Sequence, residues 1–133
     1  MKTVNPYFLR KLLDPIAGLA DDDESVIYYQ NMNKNNEVQY RKIIKDILKP
    51  YFEGINEIVQ QKSKLALSYY LSKDKFDFES VFESCLPPFD PPEDPRDFFV
   101  WIWEELFGDE DYKILNIESY KENPDIHEPN RLI

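Results

Sequence analysis

The stretch Cys85–Asp111, CLPPFDPPEDPRDFFVWIWEELFGDED, constrains the fold more than any other part of the chain. Five of the ten prolines fall within the nine residues PPFDPPEDP, and proline at that density cannot continue a helix. The segment therefore reads as a stiff connector feeding a new element. Asp94 then supplies an N-cap, Pro95 a first helical position where its missing N–H costs nothing, and Asp97 a carboxylate near the positive end of the helix dipole. Gly108 supplies the stop. At about 100° per residue, Phe98, Phe99, Ile102, Trp103 and Leu106 share one side as a core stripe. Asp97, Trp101, Glu104 and Glu105 share the other.

An indole among carboxylates on a polar face suggests a binding hot spot for a basic partner. The alternative is that a neighbouring segment covers Trp101. With the flanking acids and the tyrosine beyond the helix, the candidate partner-binding residues are Asp90, Glu93, Asp97, Trp101, Glu104, Glu105, Asp109, Glu110, Asp111 and Tyr112.

Charge supports that emphasis. The net charge is -10, distributed as -1 over residues 1–35, +3 over 36–75 and -12 over 76–133. So acidic a block repels phosphates and anionic membranes and accelerates encounter with basic proteins. Direct nucleic-acid binding would rest on Arg41, Lys42, Lys45 and Lys49 alone, and the overall charge opposes it. Those cations read better as a solvated face or as an internal complement to the acidic C-terminal part. No apolar run is long enough to span a bilayer, and MKTVNPYFLRKLL has no cleavable-signal pattern, which together predict a cytoplasmic protein without membrane attachment.

The remaining segments read as helices. Asn5 and Pro6 repeat the cap-plus-proline signature before Phe8, Leu9, Leu12, Leu13 and Ile16, with a stop expected near Leu13. Asp21, Asp22 and Asp23 offer caps for a short helix carrying Val26, Ile27 and Tyr28; the glycine and spacing of a calcium loop are missing. NMNKNN reads as a loop. From Asn36 an apolar face runs through Tyr40, Ile44, Ile47, Leu48, Tyr51, Ile55, Ile58 and Val59, interrupted at Pro50 and Gly54. Lys62 falls inside the next apolar stripe, so a turn or change of register is expected there. Asp77 caps a short helix holding Phe78, Val81, Phe82 and Cys85. Beyond Gly108, Tyr112, Ile114, Leu115 and Ile117 allow a short strand near Ile114, and residues 118–133 read as an irregular tail. The expectation is an all-α, single-domain helical bundle (residues 1–133) of about five or six helices with a proline-rich connector.

The chemistry of an enzyme is hard to assemble. Three glycines cannot build a phosphate loop or a dinucleotide fingerprint. One cysteine, Cys85, and one histidine, His127, exclude a disulfide within the chain and the usual zinc patterns. Cys85 reads as a core thiol. The expectation is a non-enzymatic protein without cofactor or metal.

The segments DFESVFESCL, DFFVWIWEELFGDEDY and NPDIHEP resemble small bacterial toxin-immunity proteins, of the helical colicin D immunity type and of contact-dependent growth inhibition systems. The resemblance implies a cytoplasmic antidote that binds a cognate toxin, typically a nuclease domain, and covers its basic cleft. Its carboxylates would take the place of phosphates and Trp101 or Tyr112 would fill an apolar pocket. Two other classes share the same features: a nucleic-acid mimic that occupies the channel of a host defence complex, and a structural subunit whose aromatic helix is buried in an assembly.

Overall fold

Helix formation follows the caps. The computed structural model describes residues 2–132. In chain order these form β1 (Lys2–Val4), α1 (Phe8–Leu12), α2 (Asp23–Tyr29), α3 (Glu37–Ile43), α4 (Lys49–Gly54), α5 (Glu57–Ser72), α6 (Phe78–Ser84), α7 (Pro95–Phe107), β2 (Tyr120–Glu122) and α8 (Glu128–Arg131), with short 3-10 turns between some of them. Side-chain caps bind at four of the starts: Asp22 accepts from Ser25 N–H, Asn36 from Gln39, Asn56 from Val59 and Asp77 from Ser80. At α7, Asp94 accepts from Arg96 N–H, and Pro95 is the first helical residue. Gly108 closes it at φ 63°, a region that side chains with a Cβ avoid.

The interruption expected at Pro50 has a specific form. Residues Ile44–Leu48, between α3 and α4, make a π-helical turn in which Lys49 N–H reaches back to the Ile44 carbonyl. Proline has no N–H and its ring presses on the carbonyl four residues earlier, so a widened turn just before Pro50 lets the helix axis continue. After Gly54 the chain breaks, and Asn56 starts α5 afresh.

One cluster of buried side chains draws on most of these elements, from Val4 and Phe8 through Tyr40, Leu48, Val59 and Tyr70 to Phe82, Phe98 and Trp103. The proline connector belongs to it. Pro87, Pro88, Phe89 and Pro92 are buried, and Phe89 meets Tyr29, Tyr40, Phe82 and Phe98 with ring centroids 5.1–6.2 Å apart.

Five expectations need correction, the first being the count of about five or six helices, where the described residues form eight. The fold is predominantly helical rather than all-α, because β1 and β2 pair as a two-stranded parallel sheet, Lys2 opposite Tyr120 and Val4 opposite Glu122. The strand therefore lies at Tyr120–Glu122 and not near Ile114, where Ser72 Oγ instead accepts the Ile114 N–H. Nor is the tail irregular throughout. Asn5 explains much of this: its amide donates to the Asp125 carbonyl and to Glu128, at 2.8 and 2.9 Å, while its oxygen accepts from Tyr7 N–H. A residue that reads as a helix cap also ties down the far end of the chain. Finally, α5 runs straight through Lys62, whose ammonium pairs with Glu128 at 3.2 Å; the long side chain lets its charge leave the apolar stripe.

Glu122 links the sheet to α5. Tyr70 Oη donates to it at 2.8 Å and Lys73 Nζ at 2.9 Å. Burial raises its pKa, but the hydrogen bonds from Lys73 and Tyr70 outweigh burial and hold the carboxyl below its usual 4.5. A depressed carboxyl stabilises the fold above its unfolded-state pKa, and that contribution is lost as pH falls through the folded value. Glu122→Gln is expected to lower the urea midpoint at pH 7 and to flatten the acid-induced loss of stability below about pH 4.5. Parallel pH profiles for the two proteins would show that Glu122 carries none of it.

Candidate functional site

The acidic helix α7 is held against α3 by a cation from the basic stripe. Arg41 donates to Glu37 on its own helix at 2.7 Å, to Glu105 at 3.2 Å, and to Glu104. Of the stripe expected at Arg41, Lys42, Lys45 and Lys49, Arg41 is thus an internal complement to the acidic part, and Lys42 pairs along its own helix with Asp46. Glu104 and Glu105 are therefore already engaged. Together with Glu37 they share the one positive charge of Arg41.

Trp101 is half-buried. Its ring centroid lies 5.7 Å from that of Tyr40, and the Arg41 guanidinium sits 5.9 Å from its centre. A neighbouring segment does cover one side of the indole. Its other side lines a groove of about 450 Å³ together with Lys34, Glu37, Glu93, Asp94 and Asp97. Among the described residues, Glu93, Asp94 and Asp97 form no ion pair, although Lys34 shares the groove lining and Arg96 lies close enough to Asp97 to pull its pKa down. Burial raises the Asp97 pKa, and the neighbouring Asp94 charge raises it further. The groove is a place where negative charge is held at a cost to the fold.

Asp90, two residues before Pro92 of the groove lining, is exposed and is not itself part of that lining; its backbone carbonyl accepts from Tyr40 Oη at 2.8 Å. Burial and the Asp90 charge push the Tyr40 phenol up to about 12, so that hydroxyl remains a donor across the physiological range.

The remaining candidates lie elsewhere. A helix of 13 residues is about 20 Å long, so the chain leaves α7 far from the groove, although it then folds back along the helix until the Tyr112 hydroxyl meets Arg96 in the first turn. There Glu110 pairs with Lys64 at 2.9 Å and its carbonyl accepts the Trp103 indole N–H. Asp111 caps the Lys113 N–H. Tyr112 is half-buried, its hydroxyl accepting from Arg96 at 3.1 Å, which removes it as a free anchor. Asp109 is exposed and unpaired among the described residues. The ten candidates thus divide into a set in or beside the groove (Asp90, Glu93, Asp97, Trp101), an internally bridged pair (Glu104, Glu105) and a distal, mostly structural set (Asp109, Glu110, Asp111, Tyr112).

One surface has no counterpart in the sequence reading of the site. Helix α2 buries none of its residues, and Ile27 and Tyr28 are 61% and 77% exposed, with Val38 at the start of α3 78% exposed. This apolar ridge adjoins the groove: Tyr28 packs edge-on to Tyr29, Tyr29 to Phe89, and Glu37 precedes Val38. The acids Asp21, Asp22, Asp23 and Glu24 flank it, all exposed. The available signal was three consecutive apolar residues in a helix too short to bury them.

Among the described residues, no three His, Cys, Asp or Glu side chains gather as metal ligands would, and no helix is long and apolar enough to cross a membrane. Comparisons of the chain with protein-family models, with curated proteins and with solved structures find no match.

The raised pKa of Asp97 means that its ionised form opposes folding near neutral pH, an opposition relieved as pH falls through that pKa. Asp97→Asn is therefore expected to keep or raise the urea midpoint at pH 7, with the difference vanishing in acid. A marked loss of stability at pH 7 would show that the carboxylate is structural.

Proposed function

We propose that this protein is a non-enzymatic inhibitor, a single cytoplasmic helical-bundle domain of the bacterial immunity type, that binds a basic partner protein through the acidic groove at the start of α7 and the apolar ridge of α2. The observation that carries the reading is the contrast in charge pairing. Glu104, Glu105 and Glu110 are ion-paired with Arg41 and Lys64, whereas Glu93, Asp94 and Asp97 form no ion pair among the described residues and lie around a half-buried tryptophan. A lysine or arginine inserted there gains a charge-assisted hydrogen bond and relieves the repulsion that lifts Asp97. The ridge supplies desolvation, and the groove supplies orientation and rapid encounter.

A nuclease domain is the partner that best suits this chemistry. Its cleft is basic because it holds phosphates, and spaced carboxylates can occupy the same positions. The resemblance of the α6 and α7 segments to immunity proteins supports the same partner class. The exposed ridge also favours a second reading, self-association as an assembly subunit, since Ile27, Tyr28 and Val38 would be covered equally well by another copy.

The test combines partner capture with inhibition. Wild-type protein is expected to retain a basic protein at low salt, to release it at high salt, and to suppress its nuclease activity at equimolar ratio. Glu93→Lys with Asp97→Lys is expected to weaken that complex at least about tenfold while leaving helicity unchanged. Tyr28→Ala is expected to cost about 2 kcal/mol of binding. Equal inhibition by the double reversal would move the interface away from the groove, and a stable homo-oligomer with no partner would favour the subunit reading.

A further inference from the structure

A second concave site lies at the end of α1 and shares no lining residue with the acidic groove. Helix α1, the segment following it and the turn after α6 enclose about 550 Å³, within the range of about 300–1,000 Å³ common for small-molecule sites. Arg10 is its distinguishing side chain. The Nε–H donates to Ser84 Oγ at 3.2 Å and the guanidinium lies 5.4 Å from the Tyr7 ring centre. Its terminal amino groups hydrogen-bond to no oxygen among the described residues. The other three arginines are committed: Arg41 and Arg131 to carboxylates, Arg96 to the Leu71 carbonyl and the Tyr112 hydroxyl.

The surrounding charges leave Arg10 unbalanced. Lys11 and Asp14 cancel each other at 3.1 Å, and Asp14 also accepts from Tyr51 Oη at 2.7 Å. The Cys85 thiol borders the cavity, but burial pushes its pKa up against the opposing pull of Arg10, so it supplies no counter-charge. A net positive cavity on a chain of net charge -10 calls for an anion.

Apolar side chains complete the lining. Leu86 and Ile126 are among them, each about half exposed. Leu86 adopts φ 52°, a left-handed conformation that favours glycine or asparagine over leucine. Hydrogen bonds from Gly18 N–H to the Cys85 carbonyl (2.7 Å) and from Ala20 N–H to the Leu86 carbonyl (2.9 Å) fix that turn. Neither burial nor backbone preference accounts for a leucine there; a ligand's apolar body would.

We propose that this cavity binds a monocarboxylate with a short apolar body, its carboxylate gripped bidentately by the terminal amino groups of Arg10 and its body resting on Leu86 and Ile126. The planar guanidinium fork matches a carboxylate better than a lysine would. Such a carboxylate comes either from a free small acid or from the C-terminus of a peptide.

The test is a nitrogen-15 NMR titration of the full chain with hexanoate, hexanol, inorganic phosphate and N-acetyl-Gly-Leu. Hexanoate is expected to shift the amides of Arg10, Gly18, Cys85 and Leu86 saturably, with hexanol at least about tenfold weaker. Arg10→Gln is expected to abolish saturation. Asn130→Asp, which adds a repelling carboxylate to the cavity lining without touching the Arg10–Ser84 contact, is expected to weaken binding several-fold and keeps the test open if Arg10→Gln fails to fold. Tighter binding of N-acetyl-Gly-Leu than of hexanoate would support the site and assign its carboxylate to a chain end. Equal shifts from hexanol or phosphate, no saturation by hexanoate, or an unaffected Asn130→Asp would overturn it.

Discussion

The structure depends on the seating of Phe98. Its ring meets Phe82 at 5.3 Å, Tyr40 at 5.9 Å, Phe99 at 6.0 Å and Phe89 at 6.2 Å, all edge-on. These partners come from α6, α3, α7 itself and the proline connector, so a single side chain registers four parts of the fold. Edge-to-face contacts add about 0.5–1.5 kcal/mol each beyond burial, and they fix orientation where aliphatic contacts would not. Because Phe98 is locked, the first turn of α7 is locked. The groove carboxylates on that turn and on the connector before it are therefore presented on a rigid frame.

Rigidity gives meaning to the uneven pairing of charge. Arg41 holds α3 to α7 through Glu104 and Glu105 while its guanidinium covers one side of Trp101. One turn before Trp101, Asp97 forms no ion pair among the described residues, and burial with the Asp94 charge outweighs the pull of the nearby Arg96. Flexible side chains would swing such carboxylates apart into water; here the short Asp94 side chain is engaged by the Arg96 N–H, and Asp97 stands one turn along the same helix. Unmatched charge maintained in a fixed geometry is what a partner of opposite sign can exploit.

The local chemistry of α7 was legible from sequence, because Asp94, Pro95 and Gly108 act on their immediate neighbours. The same holds for Asn36 as a helix start and for Asp77 as a cap. What sequence concealed were pairings across distance. A complement to the acidic C-terminal part was expected of the Arg41 stripe as a whole, but the polar face of α7 could not show that Arg41 among the stripe would take Glu104 and Glu105. Tyr112 looked available because its bond to Arg96 is tertiary. The sheet was missed for a related reason: three-residue strands carry too little alternation to register, and their pairing is set by Asn5 gripping residues 125 and 128.

That parallel pairing joins segments 118 positions apart, Lys2 with Tyr120. Loop closure over so long a span is entropically among the last contacts a chain can make, and it is out of reach while residues 120–122 are still within the ribosome. Until then Val4 has no strand to pair with and Asn5 has no carbonyl at residue 125 to grip. Helices α1–α6, which leave the ribosome well before β2, can therefore begin to pack first, and the pairing of these two segments latches onto contacts already made.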